Sequence, residues 1–276
     1  MQLTCPVCKS LLEQQGKNMR CGNNHSFDAA RQGYWNLLLA HKKRSKDPGD
    51  NTEMVQARRQ FLDGGHYQAL SGQINQLALD EIKGTENARI LDMGCGEGYY
   101  TDRLHQHLLA NGQSVELTGL DISKHAVKAA CARTKEIQWL VASGADTPVP
   151  DQSLDLQLVL FSRLMPEALA KPMKVGSSLI VAWPGADHLI ELRKLIYSEI
   201  RESHFNPVDT LKEQFELSKQ VTVNYQFSLN SSEQISTLLA MTPHGQRLKA
   251  EAQQKIIDQE QLDLTLDVNL GVFTRL

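Results

Sequence analysis

Leu91-Asp92-Met93-Gly94-Cys95-Gly96-Glu97-Gly98-Tyr99-Tyr100-Thr101 is the stretch on which the fold turns. The apolar run that leads into it, residues 88–93, reads as a strand, and an amphipathic segment over about 98–110 follows it. Between them stand three glycines at alternate positions. A turn without side chains at those points lets backbone approach a ligand closely at the carboxyl end of a strand, where open α/β sheets bind their cofactors.

Outward from this turn the same alternation continues. Residues 115–121 and 137–141 read as strands, with an amphipathic segment over 123–133 between them. Residues 154–161 and 178–185 supply two more, and beyond residue 200 the pattern fits strands at 219–229 and 263–273 with a helix at 232–239. Strands alternating with helices imply a parallel sheet covered on both faces, an α/β fold.

A glycine-rich turn is shared with dinucleotide enzymes, so the neighbouring acids carry the decision. Asp92 precedes the turn, Glu97 lies within it, and Asp121 ends the second strand, where a carboxylate can accept both hydroxyls of a ribose. A pyrophosphate favours helix-terminal amides and few acids. A cationic sulfonium bearing a free amino group favours Asp92 and Glu97, which points to S-adenosylmethionine. Each acid also has a plainer reading, Asp92 as a buried structural carboxylate and Asp121 as a helix cap beside Ser123. The third strand ends in Val141-Ala142-Ser143-Gly144-Ala145-Asp146, which offers Ser143 toward the adenine, with Asp146 as a substitute acid. The loops after strands four and five form the mouth in this architecture, making Phe161, Ser162, Arg163, Trp183 and His188 pocket candidates. Phe161 or Trp183 could stack on a flipped base, and either could equally be core packing.

The N-terminal segment is different in kind. Cys5-Pro6-Val7-Cys8 and Cys21-Gly22-Asn23-Asn24-His25 place two close ligand pairs twelve residues apart. That spacing matches tetrahedral zinc held by Cys5, Cys8, Cys21 and His25, with a hairpin between the pairs and the metal replacing a core the segment is too short to build. Residues 1–50 carry eight Lys/Arg against four Asp/Glu, while the remainder has 21 against 28. A net charge of −3 excludes a chain that binds nucleic acid over its whole surface and leaves the basic end as the one to meet phosphate. Its clearest basic run is His41-Lys42-Lys43-Arg44-Ser45-Lys46, followed by the turn Asp47-Pro48-Gly49-Asp50. The next helix starts with Asp50 or Asn51 as N-cap, runs through Met54, Ala57, Phe61 and Leu62, and stops at Gly64-Gly65. No apolar run approaches the roughly 18 residues of a membrane span, so the expected address is cytoplasmic.

These strings together resemble one family, the RlmA-type guanine-N1 methyltransferases of large-subunit ribosomal RNA. The resemblance is closest over residues 5–125. It includes the Cys/His pairs, Gly33-Tyr34-x-Asn36-Leu37-Leu38, the basic run through Asp50, Met54-x-x-Ala57-Arg58-Arg59-x-Phe61-Leu62-Asp63-x-Gly65-His66-Tyr67, and the glycine turn with Tyr99-Tyr100-Thr101. It implies a Rossmann-like seven-stranded methyltransferase sheet with a small N-terminal zinc-binding domain that recognises rRNA, and a homodimer framing the RNA. It also implies a cofactor site that adds Tyr67, Gly96, Glu97 and His188. The resulting set is Tyr67, Asp92, Gly94, Gly96, Glu97, Gly98, Tyr99, Asp121, Ser143 and His188 for S-adenosylmethionine.

The expected division is a zinc module over 1–40, a basic linker with connecting helices over 41–86, and the methyltransferase domain over 87–276. After strand four the chain departs from the family's Ile-Tyr-Ala-Pro-Cys-like run, having Leu160-Phe161-Ser162-Arg163-Leu164 instead, in the segment that faces the target base. Two alternatives stay open at this point: a methyltransferase for another RNA or a small molecule, and a non-catalytic RNA-binding relative. Guanine N1 carries a proton at neutral pH, and the base that removes it is not assigned.

Overall fold

A computed structural model describes residues 1–43, 45–200, 205–242, 245 and 248–276. The basic residue Arg44 and the Pro243-His244 pair singled out from sequence lie outside the described residues.

The N-terminal segment forms a four-stranded antiparallel sheet in the order β1 (Leu3–Thr4), β2 (Leu11–Gln15), β3 (Asn18–Cys21) and β4 (Ser26–Asp28). The expected hairpin between the ligand pairs is β2–β3, with Leu12 opposite Cys21. β5 (Trp35–Asn36) leaves this module. α1 (Thr52–Asp63) begins where the cap chemistry placed it, Asn51 Oδ1 accepting from the Met54 N–H, and ends at Gly64. α2 (Gln68–Ile82) leads into the main domain.

There β6 (Ala88–Met93), β7 (Val115–Asp121), β8 (Gln138–Val141) and β9 (Leu154–Leu160) run parallel. β10 (Met173–Pro184) joins β9 in parallel. β11 (Phe215–Leu229) and β12 (Leu262–Arg275) form a long antiparallel pair, with β12 against β10. The order β11-β12-β10-β9-β6-β7-β8 is the expected seven-stranded sheet, and β5 extends it by an eighth strand parallel to β8. No local pattern around Trp35-Asn36 signals that pairing.

α3 (Tyr99–Ala110), α4 (Lys124–Arg133) and the short α5 (Pro166–Ala170) connect the strands. α6 (Ile190–Ile196), α7 (Pro207–Leu211), α8 (Ser232–Met241) and α9 (Ala250–Ile257) complete the described helices.

Strand alternation divides the core into two layers. Ile90, Leu156, Leu158 and Ile180 pack on the side of α2, α3 and α4. Leu91, Met93, Val159 and Val181 pack on the other side, and there Leu3, Leu12 and Met19 of the small module join the same cluster. Burial against the sheet supplies the apolar contact a 40-residue module cannot make alone. The Thr4 N–H donates to the Pro148 carbonyl at 3.0 Å and the Leu37 N–H to that of Val141 at 2.9 Å. Asp146 receives both Lys9 and Lys42, bridging the module to the loop after β8.

Trp139 fills the space below the glycine turn. A Cβ on Gly119 would lie 2.3 Å from its ring and one on Gly98 2.8 Å. Gly119→Ala is therefore expected to lower stability by about 2 kcal/mol through overpacking. Urea unfolding monitored by the Trp139 region's fluorescence measures it; an unchanged midpoint would contradict the packing account.

Candidate active site

The carboxyl ends of β6, β7, β9 and β10 open into one cleft of about 630 Å³. Of the residues expected from sequence, Tyr67, Asp92, Gly94, Gly96, Glu97, Tyr99, Asp121 and His188 line it together. Gly98 and Ser143 do not. Gly98 faces the indole of Trp139, and the Ser143 hydroxyl accepts from the Ala145 N–H at 3.3 Å to cap a short turn. Asp146 does not replace Ser143, because its carboxylate is engaged by two lysines outside this cleft.

The turn itself is fixed from both sides. Gly94 has φ 84°, a conformation that a side chain strains, and a Cβ there would lie 2.7 Å from Ser162 Oγ. Asp121 Oδ2 accepts from the Gly96 N–H at 2.9 Å and Oδ1 from the Ser123 N–H at 2.7 Å. The helix cap is Ser123, whose hydroxyl accepts from the Ala126 N–H, while Asp121 orients two loops through backbone amides and each of its oxygens keeps a further acceptor position. Burial pushes its pKa up while the two amide donors pull it down.

Asp92 is 1% exposed. Its Oδ2 accepts from Thr101 Oγ1 at 2.6 Å, and its buried Oδ1 has no protein partner. Burial raises its pKa to about 7, against the downward pull of Thr101. An acceptor left unpaired at the floor of a cleft fits the ammonium of an amino-acid ligand.

Glu97 is held by Arg133, whose Nε lies 2.6 Å from Oε2, and Arg133 also reaches Asp63 at 2.9 Å. One oxygen of this carboxylate thus fastens the glycine turn to α4 and α1, while its buried Oε1 has no protein partner and the residue lines the cleft; burial raises its pKa despite Arg133.

Tyr67 is almost fully buried, and burial pushes its phenol well up. Its Oη is 3.4 Å from His188 Nε2, while His188 Nδ1 accepts from the Asp267 N–H at 3.3 Å. In the neutral ring that arrangement leaves Nε2 to carry the proton toward Tyr67. Sequence reasoning missed three further lining residues: Asp50, Arg58 and Tyr100. Asp50 and Arg58 form an ion pair at the cleft wall, and the Asp50 carbonyl accepts from Ser123 Oγ at 2.6 Å, so the turn after the basic run closes one side. The signal was present as Asp47-Pro48-Gly49-Asp50 followed eight residues on by Arg58.

In the small module, Cys5, Cys8 and Cys21 Sγ and a His25 ring nitrogen lie within 4.8 Å of one another. Cys8 and Cys21 sulfurs are 3.7 Å apart and His25 Nδ1 is 3.4 Å from Cys21 Sγ. A zinc–sulfur length of about 2.3 Å gives a tetrahedron whose edges are about 3.8 Å. All four ligands fit zinc, and the cysteines are free of disulfides.

Comparison with known proteins matches residues 3–46 to the family profile described as "RlmA, N-terminal" and residues 90–174 to one described as "Methyltransferase domain". A Bacillus subtilis protein, provisionally named as a 23S rRNA (guanine-N(1)-)-methyltransferase, is 30% identical over 272 residues, covering 96% of this chain and 94% of its own. The chain belongs to the RlmA-type methyltransferase family. The 23S rRNA (guanine(748)-N(1))-methyltransferase of Streptomyces fradiae is 34% identical over 191 residues, 69% of this chain and 66% of that one. A Micromonospora griseorubida relative is 29% identical, over 87% and 85%. Membership makes S-adenosylmethionine and zinc this chain's cofactors.

Elemental analysis should find one zinc per chain. Cys21→Ser should lose it together with the protease resistance of residues 1–30; full metal content in that variant would remove Cys21 from the ligand set. A second expectation concerns pH. The folded-state pKa of Asp92, about 7, exceeds its unfolded value of 3.8, so folding holds the proton and this group's contribution declines as pH rises from about 4 to 7. Asp92→Asn should gain stability relative to the parent between pH 5 and pH 8 in urea titrations. A difference independent of pH would contradict the buried, protonatable carboxyl.

Proposed function

We propose that the chain transfers the methyl group of S-adenosylmethionine to N1 of a guanine in large-subunit ribosomal RNA. The observation that carries this reading is a relative of that designation aligned over 96% of the chain, alongside a profile match over residues 3–46 that covers the zinc ligands. The cleft gives the reading its chemistry. When bound, the cofactor supplies an electrophilic methyl on a sulfonium.

The chain's own residues then bind and align. Asp121 would meet the ribose hydroxyls, the backbone at Gly94 and Gly96 would lie along the nucleoside, and unpaired Asp92 Oδ1 would take the amino group. Tyr67 and His188 close the far wall and exclude water. In-line displacement depends on such alignment, so positioning accounts for much of the rate enhancement.

The partner is RNA, met by the zinc module and by Lys42, Lys43 and Lys46, which lie on the stretch that leads into the cleft wall at Asp50. Among the described residues no helix is long and apolar enough to cross a membrane, and the reading places the enzyme in the cytoplasm with ribosome assembly. A homodimer framing the RNA belongs to the same reading.

Purified protein incubated with methyl-labelled S-adenosylmethionine and rRNA from a strain lacking the gene should label large-subunit RNA at guanine N1. Reversing Lys42, Lys43 and Lys46 to Glu should weaken RNA binding and flatten its salt dependence. Label confined to another base, or none, would overturn the assignment.

A further inference from the structure

Phe161 ends β9 in an unusual position. It is 42% exposed in a chain whose aromatics are otherwise mostly packed, and its φ of 55° is left-handed, where a bulky residue is strained. Its own N–H is nonetheless fixed, donating to the Ala182 carbonyl at 3.0 Å. Strain in a held backbone at the mouth of a cleft points to a side chain that is presented rather than buried.

The ring faces that of His188 nearly in parallel, with an interplanar angle of 21° and centroids 6.5 Å apart. Stacked bases are spaced about 3.4 Å apart, so one base between two parallel rings needs about 6.8 Å. The His188 wall is anchored by Asp267 N–H and Tyr67 Oη. Tyr100 flanks Phe161 at 6.4 Å.

Two neighbours on the same loop complete the setting. Ser162 packs directly on Gly94, as the 2.7 Å approach to a Gly94 Cβ shows, so the loop is seated on the turn of the donor site. Arg163, two residues beyond the aromatic, is exposed, and none of the ion pairs among the described residues involves it, which leaves its guanidinium for a backbone phosphate. The other aromatic proposed from sequence, Trp183, is 9% exposed and packs over Gly271, with its ring in the core.

We infer that Phe161 and His188 form a stacking slot for the target base, which the enzyme draws out of the RNA and holds edge-on to the donor methyl, with Arg163 on its phosphate. This rests on the RNA reading above and names the residue that positions its substrate.

The test is steady-state methylation of rRNA by the full chain, with S-adenosylmethionine affinity measured separately by calorimetry. Phe161→Leu should lower kcat/KM for RNA by about ten- to a hundredfold, the range of one lost base stack, with cofactor affinity unchanged. Phe161→Tyr should restore most of it. Equal RNA kinetics in the parent and Phe161→Leu would overturn the slot while leaving the function intact. A Leu variant that loses cofactor affinity in proportion would also overturn it, since Phe161 would then serve the donor. A parent that binds S-adenosylmethionine but labels no RNA would overturn the function and the slot with it.

Discussion

The structure depends on one constraint: the chain must leave β6 through a five-residue turn with no room for a side chain at Gly94 or Gly98 and with a left-handed backbone at all three glycines. Above the turn Ser162 presses on Gly94, and below it Trp139 presses on Gly98 and Gly119. Asp121 ties the middle of the turn through the Gly96 N–H, and Glu97 ties its end through Arg133 to α4 and α1. What remains open is the cleft face. Packing, backbone conformation and charge thus converge on a cradle whose shape is set before any ligand arrives, which is the condition for using binding energy in alignment.

Charge in this site is divided by depth. Glu97 meets a buried guanidinium through one oxygen and so braces the turn. Asp92 keeps one oxygen unpaired under the cleft floor, and its raised pKa expresses the cost of that arrangement. Asp121 sits between, committed to two amides yet still able to accept. Three acids that look equivalent along the sequence therefore do three different things, and their neighbours decide which.

Much of the architecture was legible because the signals were local. Strand alternation at 88–93, 115–121 and 154–160, the Asn51 cap of α1 and the two Cys/His pairs each depend on residues a few positions apart. The failures share an opposite cause. β5 is two residues long and exists through pairing with β8 more than a hundred positions away. Asp146 was offered to the adenine, but Lys9 and Lys42 reach it from the zinc module, a contact only docking creates. Asp50 and Arg58 were written plainly in a turn and a helix, and their place in the cleft wall follows from how α1 packs against α3, α4 and α8.

The central claim is that this cleft holds a sulfonium nucleoside by its ribose and amino-acid ends. A crystal of the full chain grown with S-adenosylhomocysteine tests it most directly. The account predicts ribose hydroxyls on Asp121 and the ligand ammonium within hydrogen-bond reach of Asp92 Oδ1. A nucleoside bound elsewhere, or the two acids left out of contact with it, would contradict the account.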